Sequence, residues 1–312
     1  MPSPARPSRD ALWVGEGVIG GAGDPAAAMV TSESYWRTRR ACEEYVRGRL
    51  LEHAASRRRV FVGFDFGYGY PRGLARALGL TGQTQPWRLV WNELARLIVD
   101  DGDNRNNRFA IAAELNRRCG NPTPGPLWGC PIRGAAPTLA RTSPRFPYDS
   151  LPDTPLQRFR LSDVAMGGVQ PAWKLLGIGS VGSQILLGIP VVCRLRDDPA
   201  LAAFSLVWPY ETGFGRTPTP PDGPFILHVE IWPGVAASVD VPSAPVRDQH
   251  QVRQMVRWLA DLDGAGELAV LFDTPPGLSS EAVAICCQEE GWILGTSSRP
   301  IARRRTAVVA RG

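Results

Sequence analysis

The sequence predicts an α/β protein, in which a mixed sheet carries helices on both faces. Short runs of β-branched and aromatic residues alternate along the chain with longer segments of helical periodicity. This alternation is typical of sheets whose strands are connected by helices. The 33 glycines and 29 prolines of the 312-residue chain add many turns between these elements.

The first part of the chain predicts a β-α-β unit. Strands are expected at residues 11–19 and 60–66, with a helix at residues 32–58 between them. Ser32 or Ser34 can cap this helix, and arginines in its last turns suit the helix dipole. This order of elements favours an α/β sheet.

The rest of the chain continues the alternation without an internal repeat. Helices are predicted at 87–99, 107–118, 184–196, 246–262 and 280–290, and strands at 204–208, 224–232, 267–272 and 291–295. The Pro/Gly-rich stretch from 119 to about 155 is long for a loop, so it is either functional or wrapped over the surface. We expect one domain over residues 1–312, with a helical and Pro/Gly-rich insertion at about 73–199.

Composition limits the partners and the compartment of the protein. A net charge of +5 and a pI of about 9.1 permit an anionic partner such as nucleic acid or a phosphate ester. Six cysteines without a C-x-x-C pair indicate reduced thiols and a cytoplasmic location. The uncharged run at 175–193 contains four glycines and a proline, so we expect a buried helix there and no membrane span. The oligomeric state is not predicted.

Three carboxylates form the strongest candidate site. Asp65 ends an apolar strand, Glu230 lies within a strand of apolar and aromatic residues, and Asp248 opens a helix. A buried ionised carboxylate needs a donor, a cation or a metal. Together they predict a catalytic site that binds Mg²⁺ or Mn²⁺, hard cations that prefer carboxylate oxygens. The alternative is structural, with Asp65 in a turn, Asp248 as a helix N-cap and Glu230 facing solvent at an edge.

Other polar residues predict contacts with an anionic substrate. The loop at 101–109 is rich in amide and guanidinium groups, which can hold phosphate or sugar hydroxyls or can cap the helix that follows. Lys174 is the only lysine of the chain, and Glu211 follows a strand beside two aromatic residues. The candidate substrate-binding residues from this pattern are Asn104, Asn106, Asn107, Arg108, Lys174 and Glu211.

Gly177, Gly179 and Gly182 form a G-x-G-x-x-G pattern. A dinucleotide site places these glycines between a strand and a helix, with an acidic residue about 20 positions later. Here the preceding apolar run is short and follows Pro171, and no acidic residue is suitably placed. We expect no dinucleotide site, and an enzyme that uses residues 177–182 to bind a dinucleotide cofactor is the less favoured alternative.

Seven segments together resemble an uncharacterised bacterial family related to domain-of-unknown-function family 429. They are "VGFDFGYGYPRG", "DNRNNRF", "WGCP", "QPAWKLLGIGSVGSQILLGIP", "VWPYETG", "VEIWPG" and "DQHQVRQMVRWLADLD". The resemblance covers about residues 11–295 and implies a ribonuclease-H-like fold with acidic residues at the centre of a mixed sheet. It also implies that Asp65, Glu230 and Asp248 match the family's acidic positions. The turn with Tyr68 and Tyr70 would form the rim of their cleft and contact the substrate.

One departure from the family pattern concerns its first strand. Family members begin with a strand that carries an acidic motif like "VDWS", whereas this sequence begins with "MPSPARPSRD", which resembles the loop after that strand. The resemblance therefore implies that one central strand and its aspartate are missing. The neighbouring strands would lose a partner, and a metal site would lose a ligand, so we expect lower stability and weaker metal binding than in a longer chain.

The sequence thus predicts a metal-dependent phosphoester hydrolase or nuclease that acts on nucleic acid or a nucleotide. Asp65, Glu230 and Asp248 are its predicted catalytic residues and metal ligands. The main alternative is a non-catalytic module that binds a nucleotide or nucleic acid in the same cleft. We expect the three carboxylates to converge, because strand ends and helix starts meet at one edge of such a sheet.

Overall fold

The computed structural model describes residues 12–19, 30–120, 124–150, 155–218 and 222–296. The strands are β1 (Leu12–Val18), β2 (Val30–Trp36), β3 (Arg59–Phe64), β4 (Ser205–Val207) and β5 (Phe225–Glu230). The helices are α1 (Arg39–Ala55), α2 (Leu74–Ala77), α3 (Pro86–Leu97), α4 (Arg108–Arg118), α5 (Leu161–Met166), α6 (Val181–Arg196), α7 (Arg247–Gly264) and α8 (Ser280–Ile285). The mixed α/β class is therefore confirmed. The expectation about a strand ahead of β1 lies outside the described residues.

The strands form two separate sheets. β1 and β2 are an antiparallel pair, whereas β3, β5 and β4 form a parallel sheet in that spatial order. All six residues of the central strand β5 are buried, as expected for a strand with neighbours on both sides and helices on its faces. The parallel sheet thus provides the rigid frame around which the candidate site is built.

The predicted β-α-β unit is wrong at its helix start. Residues 30–36 form β2, and α1 begins only at Arg39, where Thr38 caps it by accepting a hydrogen bond from the N–H of Ala41. Trp36 belongs to the strand and stacks on Tyr45 of α1, with ring centroids 4.6 Å apart. The pairing of β2 with β1 is a non-local contact, and it overrides the weak helical pattern of this segment.

Two predicted strands near the C-terminal end also differ from the structure. Residues 268–272 form a 3₁₀ helix instead of a strand. The predicted helix at 280–290 is α8 followed by one π-helical turn at Cys286–Glu290. Ile293 makes a single parallel bridge to Glu230, so the last predicted strand is reduced to one bridge beside β5.

The predicted insertion consists of short helices and ordered loops around a core that includes α3 and α6. Asn116 of α4 organises the irregular stretch, because its side chain bonds the N–H and the carbonyl of Leu127 and the carbonyl of Thr138. From Val181 onward the apolar run predicted as a buried helix is α6, most of whose residues are buried. Residues 175–180 are not helical, and Ile178 among them is exposed. Among the described residues, no helix is both long enough and apolar enough to cross a membrane.

Candidate functional site

Asp65 lies directly after the last residue of β3, at the carboxyl end of the parallel sheet. Its side chain is exposed, whereas residues 67–71 after it are buried. Crevices outside the carboxyl ends of parallel strands are where ligands commonly bind in α/β proteins. The loop from Phe66 to Gly73, here called the β3 loop, therefore forms one wall of the candidate site.

Three glutamates hold the backbone of the β3 loop. The N–H of Tyr68 donates to Glu230 at 2.9 Å, that of Arg72 to Glu290 at 2.8 Å and that of Gly73 to Glu289 at 2.6 Å. Backbone N–H bonds to carboxylates are stronger than bonds between neutral groups. The loop that follows Asp65 is thus fixed by acidic side chains from β5 and from the turn at residues 286–290.

Arg160 is the buried counter-ion of this acidic region. Its guanidinium donates two hydrogen bonds to Glu230, at 2.6 and 2.7 Å, and pairs with Asp163 at 2.8 Å. Arg160 is only 2% exposed and Glu230 only 3%. Burial alone would lower the pKa of Arg160, but the two carboxylates hold it well above the ordinary value. Burial raises the pKa of Glu230, and the contacts with Arg160 oppose that rise.

Asp65 carries the clearest electrostatic signature of the site. The side chain of Asp65 reaches solvent, but the surrounding protein atoms reduce the hydration of its carboxylate. This loss of hydration is the largest of the causes that raise the pKa of Asp65 to about 7. The charges of Asp248 and Glu230 raise it further, whereas Arg247 lowers it. Asp65 and its two predicted partners therefore lie close enough for their charges to interact, and Arg247 shares the same region.

The three predicted metal ligands occupy different environments. Asp248 is the second residue of α7, not its N-cap, and its side chain is partly buried in the first turn, where a negative charge suits the helix dipole. Glu230 is buried and does not face solvent at an edge; both of its carboxylate oxygens accept hydrogen bonds from Arg160. Among the described residues, no three His, Cys, Asp or Glu side chains are grouped so that they could hold a metal ion.

Tyr68 and Tyr70 do not form the exposed rim that the resemblance implies. Tyr68 is 1% exposed and Tyr70 is 3% exposed. The ring of Tyr68 packs edge-on against Trp91, and that of Tyr70 lies 5.1 Å from Trp173. The aromatic rings of the β3 loop turn inward because the apolar core beneath the loop buries them. In this arrangement they support the loop and have no open surface for a substrate.

The Asn/Arg loop makes structural contacts. Asn104 accepts a bond from the N–H of Arg39 at 2.9 Å, and Asn107 bonds the N–H of Val99 and the carbonyl of Leu97. Asn106 accepts a 2.7 Å bond from Arg108, whose Nε also donates to Ser183 of α6. These contacts are structural, because the amides fix the chain before α4. The N-cap residue of α4 is Asn107, and it makes no side-chain capping hydrogen bond, so the capping alternative is not seen in this form.

Lys174 and Glu211 are also engaged within the protein. Lys174 Nζ donates to the carbonyl of Ile178 at 2.6 Å and to Gln170 at 3.2 Å. Glu211 pairs with Arg196 at 2.7 Å and accepts a bond from the N–H of Val207. None of these contacts of Lys174 and Glu211 involves Asp65, Glu230 or Asp248.

The glycine motif lacks the strand that a dinucleotide site requires. In the described segment 155–180 the β-structure is limited to isolated bridges, and the one nearest the glycines joins Lys174 to Trp128. Gly177 and Gly179 have φ angles of 91° and 69°, which suit a tight turn ahead of α6. The hydrogen bond from Lys174 to the carbonyl of Ile178 stabilises this turn. The motif is therefore a helix entry, and the expectation that it binds no dinucleotide stays a prediction.

Sequence reasoning missed Arg160, Arg247 and the pair Glu289 and Glu290. Arg160 lies in a Pro-rich stretch without periodicity, and only tertiary contacts reveal its partner Glu230. Arg247 directly precedes Asp248, so its place beside the acidic site was available from the sequence. The adjacent glutamates resemble an ordinary solvated helix end, and nothing in their local pattern indicates that they bind the β3 loop.

Comparison with known proteins gives no relative for this chain. No family model matches the sequence, and neither the curated proteins nor the solved structures contain a significant match. The resemblance to the family related to domain-of-unknown-function family 429 therefore stays a prediction.

Proposed function

We propose that the protein is a metal-dependent phosphoester hydrolase whose reacting centre lies at the carboxyl end of β3. The observation that supports this most is the pKa of Asp65, which is raised to about 7 first by loss of hydration and then by the charges of Asp248 and Glu230. Strongly shifted carboxyl groups in an accessible site are typical of functional centres. We propose a ribonuclease-H-like fold as well. Its support is that the acidic residues lie beside a parallel sheet with helices packed around it.

The residues present fit a hard divalent cation. Among the described residues no donor hydrogen-bonds the Asp65 carboxylate, so its oxygens are available for a cation. Mg²⁺ commonly uses one or two carboxylates and completes its shell with waters and substrate phosphates. Asp65 and Asp248 would hold such an ion, which when bound polarises a phosphoryl oxygen and activates water.

Glu230 has a supporting role in this proposal, different from the ligand role that the sequence suggested. Its oxygens bond Arg160 and the N–H of Tyr68, so it fixes the β3 loop next to Asp65. Its charge also raises the pKa of Asp65. Arg247 is exposed beside the acidic residues and can contact an anionic phosphate. The substrate class is accordingly a phosphate ester, such as a nucleotide or nucleic acid.

Hydrolysis of bis(p-nitrophenyl) phosphate in Mn²⁺ or Mg²⁺ tests the proposal. We expect metal-dependent turnover by the natural chain and a loss of at least about 100-fold in Asp65→Asn and in Asp248→Asn, because each removes a negative charge from the reacting centre. Asp261→Asn is the matched control, since Asp261 is an exposed residue of α7 that pairs with Arg257. Its turnover should equal that of the natural chain.

Two results would count against hydrolysis. Turnover that is independent of metal, or equal in Asp65→Asn and in Asp261→Asn, would place the activity elsewhere. Binding of Mn²⁺ or a nucleotide that depends on Asp65, without any turnover, would favour the non-catalytic binding module. Calorimetric titration of Mn²⁺ into the three variants separates these outcomes.

A further inference from the structure

Three loop segments of the insertion are joined side by side around Trp128. This residue forms parallel bridges with Ala140 and with Lys174, and its carbonyl accepts a 2.8 Å hydrogen bond from the N–H of Leu175. In a parallel bridge the two chains run in the same direction. The segments that follow Trp128, Ala140 and Lys174 therefore leave this junction toward the same end of the insertion.

Large aliphatic side chains are exposed on two of these segments. Ile178 is 97% exposed, Ile132 is 73% exposed and Leu176 is 42% exposed. Beyond the bridges the two segments stay in contact, because a Cβ atom at Gly129 would lie 3.1 Å from the amide nitrogen of Leu176. A single exposed aliphatic residue is common on a protein surface, but several that leave one junction in the same direction indicate a contact surface.

The loop that carries Ile178 is held in place by hydrogen bonds to its backbone. Lys174 Nζ donates to the carbonyl of Ile178 at 2.6 Å, and the hydroxyl of Ser183 donates to the carbonyl of Leu175 at 2.6 Å. The N–H of Gly182 donates to the carbonyl of Lys174 at 2.8 Å. A side chain that is presented by a fixed loop loses little conformational entropy when a partner buries it.

The same segments are positively charged. Arg133 and Arg141 lie in them with exposed side chains, and Lys174 lies at their base. Residues 124–148 and 164–196, which supply all of these groups, contain no aspartate and no glutamate. Apolar side chains within a basic field fit a partner that offers both anionic groups and an apolar interior.

We infer that this end of the insertion binds the surface of an anionic lipid bilayer. It is here called the loop-end surface and consists of Ile132, Arg133, Arg141, Leu176 and Ile178. The aliphatic side chains enter the boundary between headgroups and acyl chains, and the arginines contact the anionic headgroups. Such a contact lies on the membrane and needs no spanning helix. The loop-end surface contains none of the acidic residues of the candidate site, so this inference is independent of the proposed reaction.

The arrangement of the side chains favours a bilayer over other anionic partners. The aliphatic residues stand on separate loop segments, and a fluid interface accommodates separate side chains without a matching shape. A protein partner would need a surface shaped to pack around each of them. Single-stranded nucleic acid is bound largely through stacking on aromatic rings, whereas these exposed side chains are aliphatic.

Sedimentation with lipid vesicles tests the inference on the full chain. We expect vesicles of phosphatidylcholine with about one third phosphatidylserine to bind the natural chain at least about tenfold more tightly than vesicles of phosphatidylcholine alone. Ile178→Asp should weaken binding to the anionic vesicles by at least about tenfold, because it replaces an inserted aliphatic group with a repelled charge. Val270→Asp makes the same charge change at a residue that is 50% exposed on the 3₁₀ helix at Leu268–Phe272, and its binding should equal that of the natural chain.

A second pair of variants tests the basic part of the surface. Arg141→Gln should weaken binding to the anionic vesicles about fivefold, which is the effect of one positive charge near an anionic membrane. Arg257→Gln is the matched control, because Arg257 lies on α7 and pairs with Asp261. Its effect should be less than about twofold.

Four results would overturn the inference. The first is the absence of binding to either kind of vesicle. The second is equal binding of Ile178→Asp and Val270→Asp, which would assign the contact to basic residues elsewhere. The third is self-association that Ile178→Asp abolishes in a chain that does not bind vesicles, which would assign the surface to a second copy. The fourth is binding of a single-stranded oligonucleotide that Ile178→Asp abolishes in such a chain, which would assign the surface to nucleic acid.

Discussion

Replacing Arg160 with alanine is expected to lower the free energy of unfolding by about 3–5 kcal/mol. The change leaves Glu230 and Asp163 in a buried site without their shared counter-ion, and it removes a bond to the carbonyl of Glu290. Loss of one partner from a buried ion pair costs far more than the pair itself contributes. Urea denaturation at neutral pH measures the effect.

An exposed arginine provides the control for this result. Arg257 pairs with Asp261 one turn along α7, with both side chains more than half exposed. Arg257→Ala should change the free energy of unfolding by no more than about 0.5 kcal/mol, because exposed pairs are weak. Similar losses in the two variants would show that Arg160 is not the centre of a buried network. Non-additivity between Arg160→Ala and Glu230→Gln would locate the coupling at this pair.

Gly69→Ala is expected to destabilise the protein by about 1–3 kcal/mol through overpacking and to reduce any phosphoesterase activity as well. A Cβ atom at this position would collide with the hydroxyl of Tyr210 and would lie 2.6 Å from the carbonyl oxygen of Glu290. The backbone of the β3 loop would have to move, and Asp65 lies at the start of that loop. Thermal unfolding and the phosphoester assay report the two effects.

Gly48→Ala is the matched control substitution, and it is expected to change stability in the opposite direction. Gly48 lies inside α1, and a Cβ atom there meets no other group within 4 Å. Alanine should therefore raise stability by up to about 1 kcal/mol through its higher helix propensity. A neutral Gly69→Ala beside a stabilising Gly48→Ala would contradict the close packing of the β3 loop.

Local sequence patterns predicted correctly those helices and strands whose tertiary contacts favour the same structure as the pattern. The apolar runs of β3 and β5, and the amphipathic patterns of α3 and α7, predicted elements that the structure contains. β2 could not be predicted in the same way, because its identity depends on pairing with β1. The 3₁₀ helix at Leu268–Phe272 has a strand-like sequence but finds no strand neighbour.

The acidic site was predictable only in part. The position of Asp65 followed from an apolar strand that ends in a glycine-rich turn, and that of Asp248 from the start of an amphipathic helix. The burial of Glu230 was also expected, but its partner was not. Arg160 is 70 residues away in the sequence, so only the folded chain shows that it binds Glu230. The direction in which Tyr68 and Tyr70 point is likewise decided by tertiary packing.

Titration of the Asp65 carboxyl by carbon-13 NMR, in the natural chain and in Asp248→Asn, tests most directly whether these acids form one site. We expect a pKa of about 7 in the natural chain, against an ordinary value of 3.8, and a lower value in the variant because one repelling charge is removed. Because the folded-state pKa is raised, the Asp65 proton favours folding; this contribution is fully present below about pH 4 and is lost as the pH rises through 7. An Asp65 that titrates near its ordinary value would contradict the shared acidic site, and so would a pKa that Asp248→Asn lowers no more than the control Asp261→Asn does.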